Sequence, residues 1–155
     1  MTMLRSAKPD DFPDICALLT AARLPTAGVS ENLETCFVCE LGGSAVAVGS
    51  VEIRGSFALL RSLAVAPEHQ GQGVGSLICD GLEAEAVSRG VTHFYLLTEK
   101  AEKFFSQRGY VSVPRAEVPP EIASSDQFSL ICPATAALMA RAAQGDAGAG
   151  SAQKS

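Results

Sequence analysis

Apolar residues recur along the chain at two spacings, one typical of strands and one typical of helices. Short apolar runs bounded by glycine, proline or serine predict strands at residues 3–6, 35–41, 45–53, 59–65, 93–98 and 110–113. Apolar residues at helical spacing predict helices at residues 12–22, 77–89 and 100–108, and a turn or two within 121–130. Residues 135–141 fit either a strand or the start of a helix. Strands that alternate with helices predict an α/β fold.

The stretch at residues 59–75 joins a strand to a helix through a glycine-rich turn. The apolar run 59–65 ends before Pro67, because proline cannot donate a hydrogen bond to a β-ladder. The turn reads Gln-Gly-Gln-Gly-Val-Gly at residues 70–75. The apolar face of the helix after it carries Leu77, Ile78, Gly81, Leu82 and Ala86, whereas Asp80, Glu83 and Arg89 fall off that face. Amides gathered at the positive end of a helix bind phosphate without basic side chains. A glycine turn that holds no ligand is the alternative.

Three kinds of glycine-rich loop have to be compared with this turn. A phosphate-binding P-loop is excluded, because no Gly-Lys-Ser/Thr follows the glycines. The dinucleotide fingerprint is a poor match, since Ser76 stands where its last glycine is expected. The pattern Q/R-x-x-G-x-G/A fits, with Gln70, Gly73 and Gly75 in its three places. In this the turn resembles the acetyl-CoA pyrophosphate loop of the GNAT superfamily of N-acetyltransferases.

The resemblance implies a fold for most of the chain. A GNAT fold over residues 1–142 has a mixed central sheet of about six to seven strands with flanking helices. In that family the sheet is splayed between the strand before the loop and the strand after its helix. The resemblance favours a closing strand at 135–141, and it implies that a homodimer through the last strands is an option. Residues 143–155 are rich in alanine, glycine and serine, which predicts a disordered tail.

The same resemblance implies acetyl-CoA as the cofactor and assigns residues to it. The pantetheine arm is expected along Leu63 and Val65, and Phe104 and Phe105 are expected beside the thioester. The pyrophosphate is expected at Gln70, Gly71, Gln72, Gly73, Val74, Gly75 and Ser76. The family often has a tyrosine, which protonates the leaving thiolate, where this chain has Phe105. Water or another side chain then does that work, or the thiolate leaves unaided, since a thiol has a pKa of about 8.5.

A narrower resemblance concerns the acceptor. The segments Leu-Arg-Ser-Leu-Ala-Val, Leu-Leu-Thr and Phe-Phe-x-x-x-Gly-Tyr are similar to the acetyltransferase domain of N-acetylglutamate synthases and, more so, to stand-alone GNAT proteins of arsenic-resistance operons. Both imply a small amino-acid-like acceptor and direct attack by its amine in a ternary complex. Acetylation of a protein N-terminus or lysine is one alternative. A non-catalytic acyl-CoA-binding module is another, for which Phe105 is the hint.

Four residues are candidates for work on the acceptor. Glu52, late in the third strand, and Glu99, after the strand that follows the helix, are the candidate bases; an acidic residue at a strand end is otherwise simply solvated. Arg61 lies in an apolar strand, where a buried guanidinium needs an anionic partner. A substrate carboxylate is one such partner and Glu52 is the other. Ser62, also a candidate substrate contact, faces the opposite side unless the strand bulges.

The composition limits the partners of the chain. Its 155 residues suffice for one domain, and a net charge of −5 argues against nucleic acid. No apolar run approaches the ~18 residues of a membrane span, and residues 1–7 do not read as a signal peptide, so we expect a cytoplasmic protein without membrane contact. Cys36 and Cys39 have redox spacing, but residues three apart on a strand face opposite ways, which predicts buried thiols. Scattered cysteines and histidines predict no metal site.

Overall fold

A seven-stranded sheet is the centre of the fold. The computed structural model describes residues 2–24, 26, 29–124 and 136–143. The strand order is β1-β2-β3-β4-β5-β7-β6. The strands are β1 (Thr2–Ser6), β2 (Cys36–Leu41), β3 (Ser44–Arg54), β4 (Phe57–Val65), β5 (His93–Thr98), β6 (Val111–Ser112) and β7 (Ala137–Ala142). Strands β1 and β2, β2 and β3, β5 and β7, and β6 and β7 pair in antiparallel fashion, whereas the helical connection from β4 to β5 is the kind that parallel strands require.

Helices and 3₁₀ turns flank the sheet. The α-helices are α1 (Phe12–Ala21), α2 (Val74–Ser88), α3 (Glu102–Gln107) and α4 (Pro120–Ala123), with 3₁₀ helices at Pro9–Asp11, Ser30–Thr35, Pro67–His69 and Arg115–Glu117. The seven strands and the helices α1, α2 and α3 lie within a few residues of their predicted places. The α/β class and the mixed sheet of about seven strands with flanking helices are confirmed. No helix in the described ranges is both long and apolar enough to cross a membrane.

The chain forms two compact units, of which the first comprises residues 1–52 and 60–85. One face of its sheet buries an apolar cluster together with α1. The cluster's buried members are Ile15, Leu19, Val29, Cys36, Val38, Val48 and Ala64, and we call this face the α1 face.

An arginine anchors the edge strand: Arg5 donates through Nη1 and Nη2 to both carboxylate oxygens of Asp11 at 2.8 and 2.9 Å, and through Nε to Glu40 at 2.7 Å.

The opposite face of this unit carries α2, and two glycines allow the close approach. A Cβ placed on Gly49 would lie 2.5 Å from Cγ2 of Ile78 and 2.9 Å from Cδ1 of Leu82. A Cβ on Gly81 would overlap Cδ2 of Leu4. The helical face predicted for α2 is therefore the packed one. Glu83, which falls off that apolar face in the sequence, is nevertheless only 7% exposed.

The second unit comprises residues 53–59 and 86–155. Strand β7 pairs with β5 and β6, which confirms the closing strand predicted at 135–141. The guanidinium carbon of Arg141 lies 5.4 Å from the ring centre of Phe94 and 5.3 Å from that of Tyr110. The predicted tail at 143–155 lies outside the described residues from position 144 onward, as do Cys132 and part of the predicted helical region 121–130.

The cysteines of β2 face opposite sides of the sheet, as predicted. Cys36 is opposite Ser50 on β3 and belongs to the cluster on the α1 face, whereas Cys39 is opposite Ala47. Both are fully buried. Burial raises the pKa of Cys36 to about 12 and that of Cys39 to about 11. Both thiols are therefore protonated and behave as small apolar side chains.

Candidate active site

The glycine-rich loop lies where β4 turns into α2. Gly71 and Gly73 have φ angles of +80° and +83°, in the left-handed region that favours glycine. A Cβ added to either would meet no atom of the described residues within 4 Å, its chain neighbours aside. Glycine is needed here for the path of the backbone and not to make room for a packed neighbour.

Hydrogen bonds tie the loop to the elements beside it. The side chain of Gln70 donates from Nε2 to the carbonyl of Val65 at 3.1 Å, which fastens the loop to the end of β4. The ring nitrogen Nδ1 of His69 lies 3.3 Å from Oε1 of Gln72. The amide of Leu77 donates to the carbonyl of Gly73 at 3.1 Å and starts the hydrogen-bond ladder of α2. Gln70 thus shapes the loop through its side chain.

The first turn of α2 supplies the electrostatics. Amides in the first turn of an α-helix have no acceptor within the helix, and here they include those of Val74 and Gly75. No acidic side chain lies in that turn. Fifteen residues of aligned peptide dipoles give this end partial positive charge. The loop therefore fits a diphosphate such as that of coenzyme A. The side chain of Val74 is buried, so only its backbone is available to a ligand.

The other residues predicted to bind acetyl-CoA lie in β4 and α3. Leu63 and Val65 are half-buried in β4. In the second unit, Phe105 is 5% exposed and its ring packs edge-on against Phe104 at 5.0 Å and Tyr110 at 5.6 Å between ring centres. Phe105 thus belongs to the core of that unit. Contact of these four residues with a cofactor stays a prediction.

Glu52 and Arg61 are joined in a buried ion pair within the first unit. Nη1 of Arg61 donates to Oε1 of Glu52 at 2.9 Å. The structure therefore contains the internal partner that the sequence left open as the alternative to a substrate anion. Glu99 is exposed, directly after β5, in the second unit. The roles of Glu52, Glu99 and Arg61 toward an acceptor stay predictions.

Ser62 breaks the alternation of β4. Its φ of +58° lies in the left-handed region, which a residue other than glycine rarely adopts within a strand. Residues 61 and 64 would face opposite ways in a regular strand. Instead, Arg61 reaches Glu52 and Ala64 joins the cluster, both on the α1 face. The strand bulges at Ser62, as the sequence allowed.

One further polar group on the α1 face was not singled out in the sequence. Ser50 is 3% exposed, and its hydroxyl has no hydrogen-bond partner among the residues that the structure describes. A serine between Gly49 and Val51 in an apolar strand carries no pattern that would have identified it.

In the described part of the chain, no cluster of three or more His, Cys, Asp or Glu side chains could hold a metal ion.

The seven-stranded mixed sheet, and the glycine loop with its left-handed residues at the start of α2, are the features that the resemblance to GNAT acetyltransferases implies. The model of the acetyltransferase (GNAT) domain family matches residues 32–112, more than half of the chain. The chain belongs to the GNAT family of acetyltransferases. This match confirms the predicted superfamily and the predicted kind of enzyme, an acetyltransferase.

Solved structures share the fold at low sequence identity. N-acetylglutamate synthase from Neisseria gonorrhoeae, complexed with coenzyme A and N-acetyl-glutamate, has a TM-score of 0.81 at 17% identity over 92% of this chain. The chain spans about a third of that protein, 35%. Rv2747 from Mycobacterium tuberculosis, in complex with CoA, has a TM-score of 0.78 at 22% identity, covering 90% of this chain and 98% of that one. The ribosomal-protein-S18-alanine N-acetyltransferase from Escherichia coli has a TM-score of 0.67 at 20% identity, covering 92% and 94%. No curated protein matches the sequence.

Proposed function

We propose that the protein transfers the acetyl group of acetyl-CoA to the amine of a small amino-acid-like acceptor, by direct attack in a ternary complex. The observation that carries the proposal is the buried pair of Glu52 and Arg61, in which Nη1 of Arg61 lies 2.9 Å from Oε1 of Glu52. A base and an anion-binding group stand side by side there. An acceptor with an amine and a carboxylate matches both groups.

The loop holds the donor in this proposal. The amides at residues 70–76 bind the diphosphate, and Gln70 keeps the loop against the end of β4. The backbone of Leu63 and Val65 lies alongside the pantetheine arm. Acetyl-CoA brings a thioester carbonyl that an amine can attack. A backbone amide of β4 donates to the oxyanion that develops there, and alignment of the two reactants supplies much of the rate.

Binding of the acceptor changes the hydrogen-bond partners of both Arg61 and Glu52. Its carboxylate takes up the guanidinium of Arg61 in competition with Glu52. The Glu52 carboxylate then receives a proton from the acceptor ammonium, directly or through a water molecule. Glu99 is the second candidate base. Phe105 has no proton to give, so the thiolate leaves unaided, which a thiol pKa of about 8.5 permits near neutral pH.

The solved structures support an amino-acid-like acceptor in one respect. The synthase from Neisseria gonorrhoeae was complexed with N-acetyl-glutamate, an acetylated amino acid. The Escherichia coli relative is named for a protein acceptor, and it shares the fold as well. The experiment below therefore also tests acetylation of a protein amine. A cytoplasmic location, a homodimer and a link to arsenic resistance stay predictions.

The experiment is acetyl-CoA-dependent thiol release with a panel of acceptors. The panel contains the common amino acids, phosphinic and arsenical analogues of glutamate, and peptides with free N-termini or lysines. Arg61→Lys and Glu52→Gln are compared with Arg89→Ala, which changes an exposed charge at the end of α2. We expect turnover of one amino-acid-like acceptor, a KM for it at least tenfold higher in Arg61→Lys, and a lower kcat in Glu52→Gln. Turnover of peptides alone, or acetyl-CoA binding without turnover of any acceptor, would contradict the proposal.

A further inference from the structure

We propose that Ser50 determines acceptor specificity, by donating a hydrogen bond from its hydroxyl to a carboxylate oxygen of the acceptor beside the Glu52–Arg61 pair. The inference rests on the proposed function, because it concerns the same acceptor. It adds a residue that neither the sequence pattern nor the loop identifies. The starting observation is the hydroxyl itself.

The Ser50 hydroxyl is buried without a partner. The side chain is 3% exposed, and Oγ has no donor or acceptor in hydrogen-bond range within the described ranges. A hydroxyl that leaves water without a new hydrogen bond costs folding free energy, so nearly all buried polar groups in proteins are paired. Alanine would fill the same place in the strand without that cost. Because no described residue satisfies this hydroxyl, the proposal assigns its partner to the bound acceptor.

The strand directs Ser50 to the α1 face. Gly49 faces α2, because a Cβ there would lie 2.5 Å from Cγ2 of Ile78. Val48, which precedes Gly49 in β3, belongs to the cluster on the α1 face. Since side chains alternate along a strand, Ser50 faces the same way as Val48. A one-residue slip would force Ser50 against the helix, so packing holds the hydroxyl in place.

Ser50 shares this face with the ion pair. Glu52 is two residues further along β3 and faces the same way, about 7 Å along the strand. Arg61 reaches Glu52 from β4. The cross-strand neighbour of Ser50 is Cys36, whose pKa is raised to about 12 by burial, and a protonated thiol is only a weak hydrogen-bonding group. Along β3, Ser50 is therefore the hydroxyl donor nearest to Glu52, and it lies on the same face as the ion pair.

Arg61 and Ser50 have different roles toward the acceptor carboxylate in this proposal. Arg61 has to share its guanidinium between Glu52 and an incoming carboxylate, which leaves carboxylate lone pairs to be satisfied. A serine hydroxyl rotates freely and donates one hydrogen bond without adding charge. A site built to hydrogen-bond a substrate group rejects analogues that lack the group, because its own polar atom then stays buried and unpaired. Ser50 thereby favours amines that carry a carboxylate over plain amines.

The test combines a variant with a substrate analogue. Ser50→Ala is compared with Ser44→Ala, an exposed serine at the start of the same strand. The acceptor is compared with the amine that lacks its carboxylate. We expect Ser50→Ala to raise the KM for the acceptor roughly 10- to 100-fold and to leave the KM for acetyl-CoA unchanged. The same variant should leave the KM for the decarboxylated amine unchanged.

Thermal unfolding separates this role from a structural one. Removal of an unpaired buried hydroxyl leaves the melting temperature unchanged or raises it. A lower melting temperature in Ser50→Ala, or an unchanged KM for the acceptor, would overturn the inference. The proposed function fails differently: the wild-type protein would then turn over no amino-acid-like acceptor at all. Turnover by the wild type with equal turnover by Ser50→Ala would refute the role of Ser50 alone.

Discussion

Arg61 and Glu52 form a buried ion pair between β4 and β3, with Nη1 of Arg61 2.9 Å from Oε1 of Glu52 and side chains 5% and 10% exposed. Two charges that leave water lose their hydration, and their mutual attraction offsets much of that loss only while both are present. The pair therefore makes each partner dependent on the other. It also places a carboxylate and a guanidinium on the α1 face of the first unit, where the acceptor binds in the proposed function.

Removal of one partner should destabilise the protein strongly. We expect Arg61→Met and Glu52→Leu each to lower the free energy of unfolding by about 3–5 kcal/mol, because the remaining charge is left buried without compensation. Replacement of both, as Glu52→Leu with Arg61→Met, should cost less than either single change. Urea unfolding of the four proteins measures this. Strictly additive losses in the double variant would show that the two side chains are not coupled.

The glycine loop can be tested against a glycine with matched backbone geometry. Gly73 has a φ of +83° and Gly43, in the turn between β2 and β3, has a φ of +86°; neither has an atom within 4 Å of an added Cβ. Alanine at either position costs about 1–2 kcal/mol for its left-handed conformation. Only Gly73→Ala should also raise the KM for acetyl-CoA, because it disturbs the amides that face the diphosphate. Equal KM values in the two variants would argue against this loop as the diphosphate site.

Asp11 should link stability to acidic pH. Hydrogen bonds from Arg5 lower the pKa of Asp11 to about 2 from an ordinary value of 3.8. Because the folded-state pKa lies below the unfolded one, the stabilisation is complete above pH 3.8 and is lost as the pH falls through about 2. We expect Asp11→Asn to lower the free energy of unfolding by about 1 kcal/mol at neutral pH, and the difference from wild type to shrink in acid.

The matched control for Asp11 is Asp10→Asn, an exposed carboxylate in the same 3₁₀ helix. Thermal unfolding from neutral to acidic pH compares the three proteins. The Asp10 variant should follow the wild type throughout. A difference between Asp11→Asn and wild type that stays constant into strong acid would mean that the carboxylate charge is not what stabilises this corner of the first unit.

The thiols should differ in reactivity. Cys36 and Cys39 are buried, and burial raises the pKa of each, to about 12 and about 11. Cys16 is only half-buried in α1. We expect alkylation of the folded protein by iodoacetamide to modify Cys16 before Cys36 or Cys39, and all three to react after unfolding. Peptide mass spectrometry measures this, and rapid labelling of Cys36 in the folded protein would contradict the burial of β2.

The elements and the glycine loop could be predicted because their causes are local. The apolar run at residues 45–53, next to two glycines, predicts β3, and the spacing of Ile78, Leu82 and Ala86 predicts the packed face of α2. Glycines at 71 and 73 supply left-handed backbone whatever surrounds them. Residues 135–141 were ambiguous, since a short apolar run fits a helix or a strand. Pairing with β5 decides for the strand, and that partner is far away in the sequence.

The sequence by itself determined the strand, loop and helix that identify a GNAT acetyltransferase, since phosphate binding through amides needs only that local order. The tertiary structure alone decided which polar side chains are buried and with what. Glu83 is buried and not in solvent, Arg61 pairs with Glu52, and the left-handed Ser62 brings residues 61 and 64 to one face. Ser50 became a candidate only once its neighbours were known. Burial and pairing depend on chain segments that meet across the sheet, and no short window of sequence contains both partners.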